Sequence, residues 1–363
     1  MFYMFQPFYL TQLGANPVSI GYILGASGFA MMIAHIPAGY LSDRIGRRPM
    51  LISAWIIGIS AAWTMALARS LPVFVAGLLL YGFTAFVTSP LNSYVTAARG
   101  KWTVGRAITF SSATFNLGIV LGPLTGGWLG EHYGLRSVYF AAGGLFIIST
   151  FFLVMIAPQA RDQHDPDLPQ PNLLKNQRYI GFVSLGLIVM LVMYLAQPFT
   201  PKYLQDVRGM TLENIGLLGT IGGIGSTILV FLFGFLDARL GFILGQVGVL
   251  FYCAVIWKMN NIGWFAVSFF FLGGYRAARS LYMAQIRPLV HESQIGLAYG
   301  ISETVLGLTG ITAPIIAGFL YQYDKALIYP LAGAGILTGI LLSLFFSPRT
   351  SKVQYQPILE IVE

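Results

Sequence analysis

The stretch "GYLSDRIGRRP", Gly39 to Pro49, packs one acid, three arginines, two glycines and a proline between two long apolar runs. The rest of the chain is unlike it. Of 363 residues, 9% are charged and 56% are hydrophobic, and the mean hydropathy is +0.72. A soluble domain carries roughly 25% charged residues, so this chain could not cover its surface with polar groups. Apolar runs of about 20 residues recur from end to end, each long enough to cross a ~30 Å hydrocarbon core as a helix. They are continuous rather than alternating, which excludes barrel strands. The fold class is an all-α polytopic membrane protein.

Runs bounded by Pro, Gly and charge predict twelve spans, at 1–12, 18–41, 50–68, 72–96, 107–130, 137–157, 178–200, 213–236, 242–258, 263–287, 297–321 and 326–346. The side holding Gly39–Pro49 collects thirteen Lys and Arg against six on the other. The positive-inside rule then makes that side, and both termini of a complete chain, cytoplasmic. A plasma or inner membrane is the expected location. Trp128, Tyr133, Tyr139, Trp257, Trp264 and Tyr321 fall near predicted external span ends, where amphipathic rings suit the interface.

The segment 158–177, with four prolines and mixed charge, reads as a cytoplasmic linker. It divides the chain into bundles at 1–157 and 178–346, with a cytoplasmic tail at 347–363. The halves resemble each other. "QPF" occurs at Gln6–Phe8 and Gln197–Phe199, "GYLSDRIG" aligns with "GFLDARLG" at 234–241, and Pro123 and Gly127 align with Pro314 and Gly318. The matches keep one order at spacings of 191 to 195 residues, which indicates a duplicated six-helix unit. Span 7 has 18 residues before its QPF, whereas span 1 has five. Span 1 is therefore expected to be truncated, because half a helix cannot shield a bilayer-spanning wall; a natural half-helix is the alternative. "MFYMFQPF" lacks the basic n-region of a signal peptide.

The net charge of +8 follows from the topology, and no basic run is long enough for a nucleic-acid groove. The single Cys253 excludes an intramolecular disulfide, and His35, His132, His164 and His291 show no metal-ligand spacing. No cofactor or metal is expected. Without a nucleophile–His–acid grouping the chain does not read as an enzyme.

Gly39, Asp43, Arg44, Gly46, Arg47 and Arg48 fall on Gly-x-x-x-Asp-Arg-x-Gly-Arg-Arg/Lys, which is similar to the loop 2–3 signature of the major facilitator superfamily. In span 5, Gly118, Gly122, Pro123, Gly126 and Gly127 spell G-x-x-x-G-P-x-x-G-G, which resembles a motif found mainly in its antiporter branches. The resemblance covers essentially the whole chain. It implies two pseudo-symmetric six-helix bundles, a cavity lined by spans 1, 4, 7 and 10, and a cytoplasmic gate at Asp43. Parallel halves of this kind build secondary transporters. One departure stands out: where drug/proton antiporters carry R-x-x-Q-G in span 4, this chain has Leu78, Tyr81 and Gly82. Proton antiport is then either absent or carried elsewhere.

The residues have their own physical reading. Gly39 and Gly46 permit a tight turn, and Asp43 can pair with Arg44 or Arg47 or face a helix N-terminus; the arginines alone would also anchor topology. The span 5 glycines allow close helix approach, whether for packing or gating.

Ionisable residues inside spans are functional candidates because burial in hydrocarbon is costly. Arg276 and Arg279, three apart, share a face of span 10, and Glu303 lies in span 11. At ~1.5 Å per residue, Arg279 and Glu303 sit at about 12 and 9 Å from the cytoplasmic boundary and can pair, leaving Arg276 at about 16 Å without an acid. A lone cavity arginine suits a carboxylate, phosphate or sulfate; a structural Arg279–Glu303 pair with a snorkelling Arg276 is the alternative. His35, Asn92, Asn116 and Gln285 read as packing polar groups, and Gln197 as a ligand candidate because its QPF repeats at Gln6.

The expected function is a secondary active transporter working by alternating access as a monomer in the bilayer. It exports a small organic molecule, with protons as coupling ion. The alternative is organic-anion or sugar uptake or exchange; a non-transporting sensor or membrane enzyme is a remote one.

Overall fold

The computed structural model describes residues 2–101, 104–157, 173–290 and 295–348, with all side chains except those of 35–44, 89, 92–93, 104–105, 108–109, 174 and 295–297. Among the described residues fifteen α-helices follow one another: α1 (Gln6–Gln12), α2 (Pro17–Ile45), α3 (Arg47–Leu67), α4 (Leu71–Phe83), α5 (Thr88–Ala97), α6 (Val104–Tyr133), α7 (Leu135–Val154), α8 (Gln177–Leu195), α9 (Thr200–Asp206), α10 (Leu212–Gly234), α11 (Ala238–Lys258), α12 (Ile262–Leu272), α13 (Gly274–Ala284), α14 (Ile295–Tyr323) and α15 (Ile328–Phe346). No strand occurs among the described residues. Among the described residues, eight helices are each long and apolar enough to cross a membrane.

The predicted spans are recovered, but three are broken. Span 4 divides into α4 and α5 at a 3-10 turn, Thr84–Val87. Span 7 divides into α8 and α9 at 196–199, where Pro198 has no N–H to donate and its ring collides with the preceding turn. Span 10 divides into α12 and α13 at Gly273, against which α10 packs its backbone at Gly225 and Ser226. Periodicity alone does not show such breaks, because apolar residues continue across them. Gly46 (φ 93°) and Gly134 (φ 79°) let the chain reverse within one residue between α2 and α3 and between α6 and α7.

Within the first half, α3 packs on α4 and α7; within the second, α11 packs on α12, α13 and α15. This is the same arrangement repeated, as the internal repeat predicts. The core of the first half is an aromatic cluster in which Phe74 and Tyr139 cross edge to face at 5.2 Å, with Tyr9 at 5.2 Å from Tyr139.

Two expectations need correction. Tyr139 and Tyr321 are buried rather than interfacial. Tyr139 belongs to that aromatic cluster, and Tyr321 packs on Phe199 while its hydroxyl donates to Asp206 at 3.0 Å. Trp128, Tyr133, Trp257 and Trp264 are exposed, as the interfacial reading requires. At the end of the segment expected as linker, Leu173 is buried, and Asn176 caps α8 through Tyr179 N and donates to Leu289 O at 2.8 Å. Residues 158–172 and 349–363 lie outside the described residues.

The halves meet along two seams, α2 on α14 and α6 on α10. Both are built from backbone. A Cβ on Gly127 would sit 2.6 Å from Leu212 O and 3.0 Å from Gly216 Cα, and one on Gly318 would sit 2.7 Å from Pro17 O. This close packing concentrates at the end holding Gly134; further toward the Gly46 end, a Cβ on Gly118 or Gly300 would meet nothing within 4 Å. Gly127→Val is therefore expected to force the α6/α10 seam apart and destabilise the protein by about 1–3 kcal/mol, whereas Gly118→Ala leaves the melting temperature unchanged. Thermal unfolding in detergent checks the contrast.

Candidate functional site

The break at Gly273 determines what α13 presents. Gly274 and Ala278 lie against Gly245 of α11, the Gly274 carbonyl 2.6 Å from where a Cβ on Gly245 would stand. Gly274, Ala277 and Ala278 are buried on that face. Arg276 and Arg279 lie on the other, three residues apart. The back of the helix is too tight for side chains, so its polar groups all turn one way.

Arg279 donates through Nη2 to Glu303 Oε2 of α14, so the predicted pair is formed. The two side chains are 39% and 49% exposed, which places the pair on an open surface between helices rather than in a sealed core. Tyr275 lies near both Arg279 and Thr309 of α14. Its ring lies 5.8 Å from that of Tyr194 on α8, which in turn lies near Tyr3 of the first half. Phe2 packs edge-on against Tyr81 of α4 at 4.9 Å. Side chains from both halves thus converge around one ion pair.

Arg276 differs from its neighbour. It is exposed, and among the described residues no carboxylate lies within ion-pair distance of it; its closest electrostatic neighbours are Tyr275 and Arg279. Two guanidiniums against one carboxylate leave the face with one uncompensated positive charge. A charged side chain within a membrane-spanning bundle is a functional candidate, and the planar guanidinium fork fits carboxylate or phosphate oxygens two at a time.

The other sequence candidates are distributed as follows. Gly39, Asp43 and Arg44 lie in the last turns of α2; the side chains of Asp43 and Arg44 are outside the described set, as is that of His35. Gly46 links α2 to α3, and Arg47 and Arg48 open α3. Arg48 donates to Val154 O of α7 at 2.9 Å, tying the loop to its own bundle. In the α6 motif Gly122, Gly126 and Gly127 are buried, Pro123 and Gly127 contact α10, and Gly118 meets nothing. Gln197 donates to Met193 O at 3.0 Å within its own chain turn, and the repeat partner Gln6 is buried with its amide nitrogen unpartnered. Gln285 is fully buried and bonded to Ala238 O, Leu281 O and Ser347. Leu78, in place of the antiporter arginine, is fully buried.

Sequence reasoning missed Tyr3, Tyr194, Tyr275 and Glu131. The run "GGYRAAR" at 273–279 held a usable signal, because the paired glycines mark the break and Tyr275 adjoins Arg276. Nothing local marks Tyr194 among many membrane aromatics.

Two facing six-helix units with charge gathered between them define a multi-pass membrane carrier fold. The family model described as Major Facilitator Superfamily matches residues 1–257 and 182–359, and the chain belongs to that family. It is 26% identical to the probable galactarate/D-glucarate transporter GudP of Escherichia coli, over 95% of this chain and 88% of that protein. It is 22% identical to the quinolone resistance protein NorA of Staphylococcus aureus, over 96% of this chain and 93% of that protein. A crystal structure of the nucleoside transporter NupG, in mutant form, shares the fold with a TM-score of 0.84 at 12% identity, covering 94% of each chain.

The ion pair makes a prediction independent of function. At this exposure the pair contributes modestly. Arg279→Ala and Glu303→Ala are each expected to cost less than about 1 kcal/mol, with a coupling of about 0.2–1 kcal/mol, read as the departure from additivity in a thermal double-mutant cycle.

Proposed function

We propose that this transporter carries a small organic anion by alternating access, with Arg276 as the docking group for its carboxylate or phosphate. The observation that carries the reading is the exposed guanidinium with no acid beside it on the face that also holds the Arg279–Glu303 pair. The hydroxyls of Tyr3, Tyr194 and Tyr275 and the Thr309 side chain stand beside the pair and supply donors and acceptors for a hydroxylated solute. Similarity to a protein named for the sugar diacids galactarate and glucarate agrees with this chemistry. A lipophilic cation would meet net positive charge.

Proton-coupled export, the first expectation from the sequence, is the second reading. It is favoured by the α6 motif packed on α10 and by similarity to NorA. The buried Leu78 in the antiporter arginine's place counts against it. In either direction the solute sits between the bundles, and Asp43 and its arginines latch the Gly46 end, taken as cytoplasmic from its lysine and arginine excess.

The test is thermal stability of the purified protein with two ligand pools, hydroxylated mono- and dicarboxylates against lipophilic cations. A bound ligand at a hundredfold excess over Kd stabilises by about 2.7 kcal/mol. Stabilisation by anions, lost in Arg276→Ala, is expected; stabilisation by cations that survives Arg276→Ala would replace this reading with drug export. Asp43→Asn is expected to slow turnover of the identified substrate several-fold while its Kd stays within about twofold, and unchanged turnover would remove Asp43 from the gate.

A further inference from the structure

Glu131 lies in the last turn of α6, and its Oε2 accepts a hydrogen bond at 2.7 Å from the backbone N–H of Leu212, the first residue of α10. The bond joins the two halves. The first N–H groups of a helix have no partner in their own helix and carry its positive end, so a carboxylate is a good acceptor there. Thr211, the cap of α10, directs its side chain to Asn214 N and leaves the Leu212 N–H to Glu131. Below this bond the seam is tight: Gly127 meets Gly216, and Thr220 Oγ1 donates to Val120 O at 2.7 Å. Glu131 closes its outermost turn.

The internal repeat supplies a comparison within one molecule. An offset of 195 residues sets Asn16 opposite Thr211, and both cap their helices, Asn16 through Ser19 N at 2.8 Å. The next pair is Pro17 opposite Leu212, and an offset of 191 sets Gln322 opposite Glu131. Pro17 has no N–H, so the α2/α14 seam cannot form the equivalent bond whatever Gln322 does. That seam relies on backbone packing of Gly21 and Gly318, while the α6/α10 seam adds a charge-assisted hydrogen bond at its rim. The charged and titratable neighbours are Glu213 in the first turn of α10, which faces the same helix end, and His132, whose Nδ1 lies 3.0 Å from Trp128 O.

We propose that Glu131 is a positioning residue for transport: its bond to the α10 N-terminus holds the Gly134 end shut and must release for that end to open. The proposal rests on the alternating-access reading but on no particular substrate. Glu131 is exposed, so replacing it leaves the core intact.

The experiment is a spin-label distance measurement across the Gly134 end, using S70C and M259C on opposite halves in a C253A background. E131A is expected to raise the population of the longer distance about three- to tenfold over the parent. E131Q, which keeps an acceptor oxygen without the charge, raises it less, and Q322A leaves it unchanged. Parent and E131A distributions that coincide overturn the proposal, as does a Q322A shift as large as that of E131A. A shift in E131A accompanied by no organic-anion transport in the parent protein supports the gate and removes the anion reading alone.

Discussion

The two halves touch through backbone rather than through interlocking side chains, and the rest of the molecule depends on that contact. Lipid is as apolar as leucine, so helices gain little by hiding apolar side chains from it. Close approach and its dispersion contacts hold them instead, and only glycine permits the spacing seen at Gly127 and Gly216. A seam without interdigitating side chains also presents no ridges to be lifted out of grooves. It can hold the halves together at one end and still allow one to roll on the other.

The charged face follows from the same contact used within a half. The α13 helix presents Arg276 and Arg279 between the bundles because its opposite face is pressed against Gly245 of α11, where no side chain larger than alanine fits. The polar groups are thereby committed to one surface. Glu303 pairs with Arg279, and Arg276 has no carboxylate within ion-pair distance among the described residues.

Much of this was legible in the sequence, and what was not has a physical reason. The spans, the repeat and the Arg279–Glu303 pair follow from hydropathy, fixed offsets and helical rise, all of which are local or linear. The breaks at Gly273 and Pro198 were hidden because apolar composition runs through them. Tyr139 and Tyr321 were misplaced because a tyrosine near a span end satisfies an interface and a bundle core equally well until its neighbours are known. Gln197 drew attention through its repeat, yet its amide is spent on the turn that Pro198 forces. Glu131 drew no attention in the sequence because its meaning lies in a helix end 81 residues away.

The site and the seam are joined by one element. The α10 helix meets Glu131 and Gly127 at its first turn, Thr220 bonds to α6 midway, and Gly225 and Ser226 press on the break at Gly273 that aims Arg276. Residues 212 to 226 span about 21 Å at the rise of an α-helix, in one unbroken helix. Backbone contacts at both places leave little slack for side chains to absorb a tilt. A change in how α10 lies on α6 must therefore shift the hinge beneath Arg276. Both places are thus held by one rigid element, and a single element touching two places is the physical requirement for coupling between them.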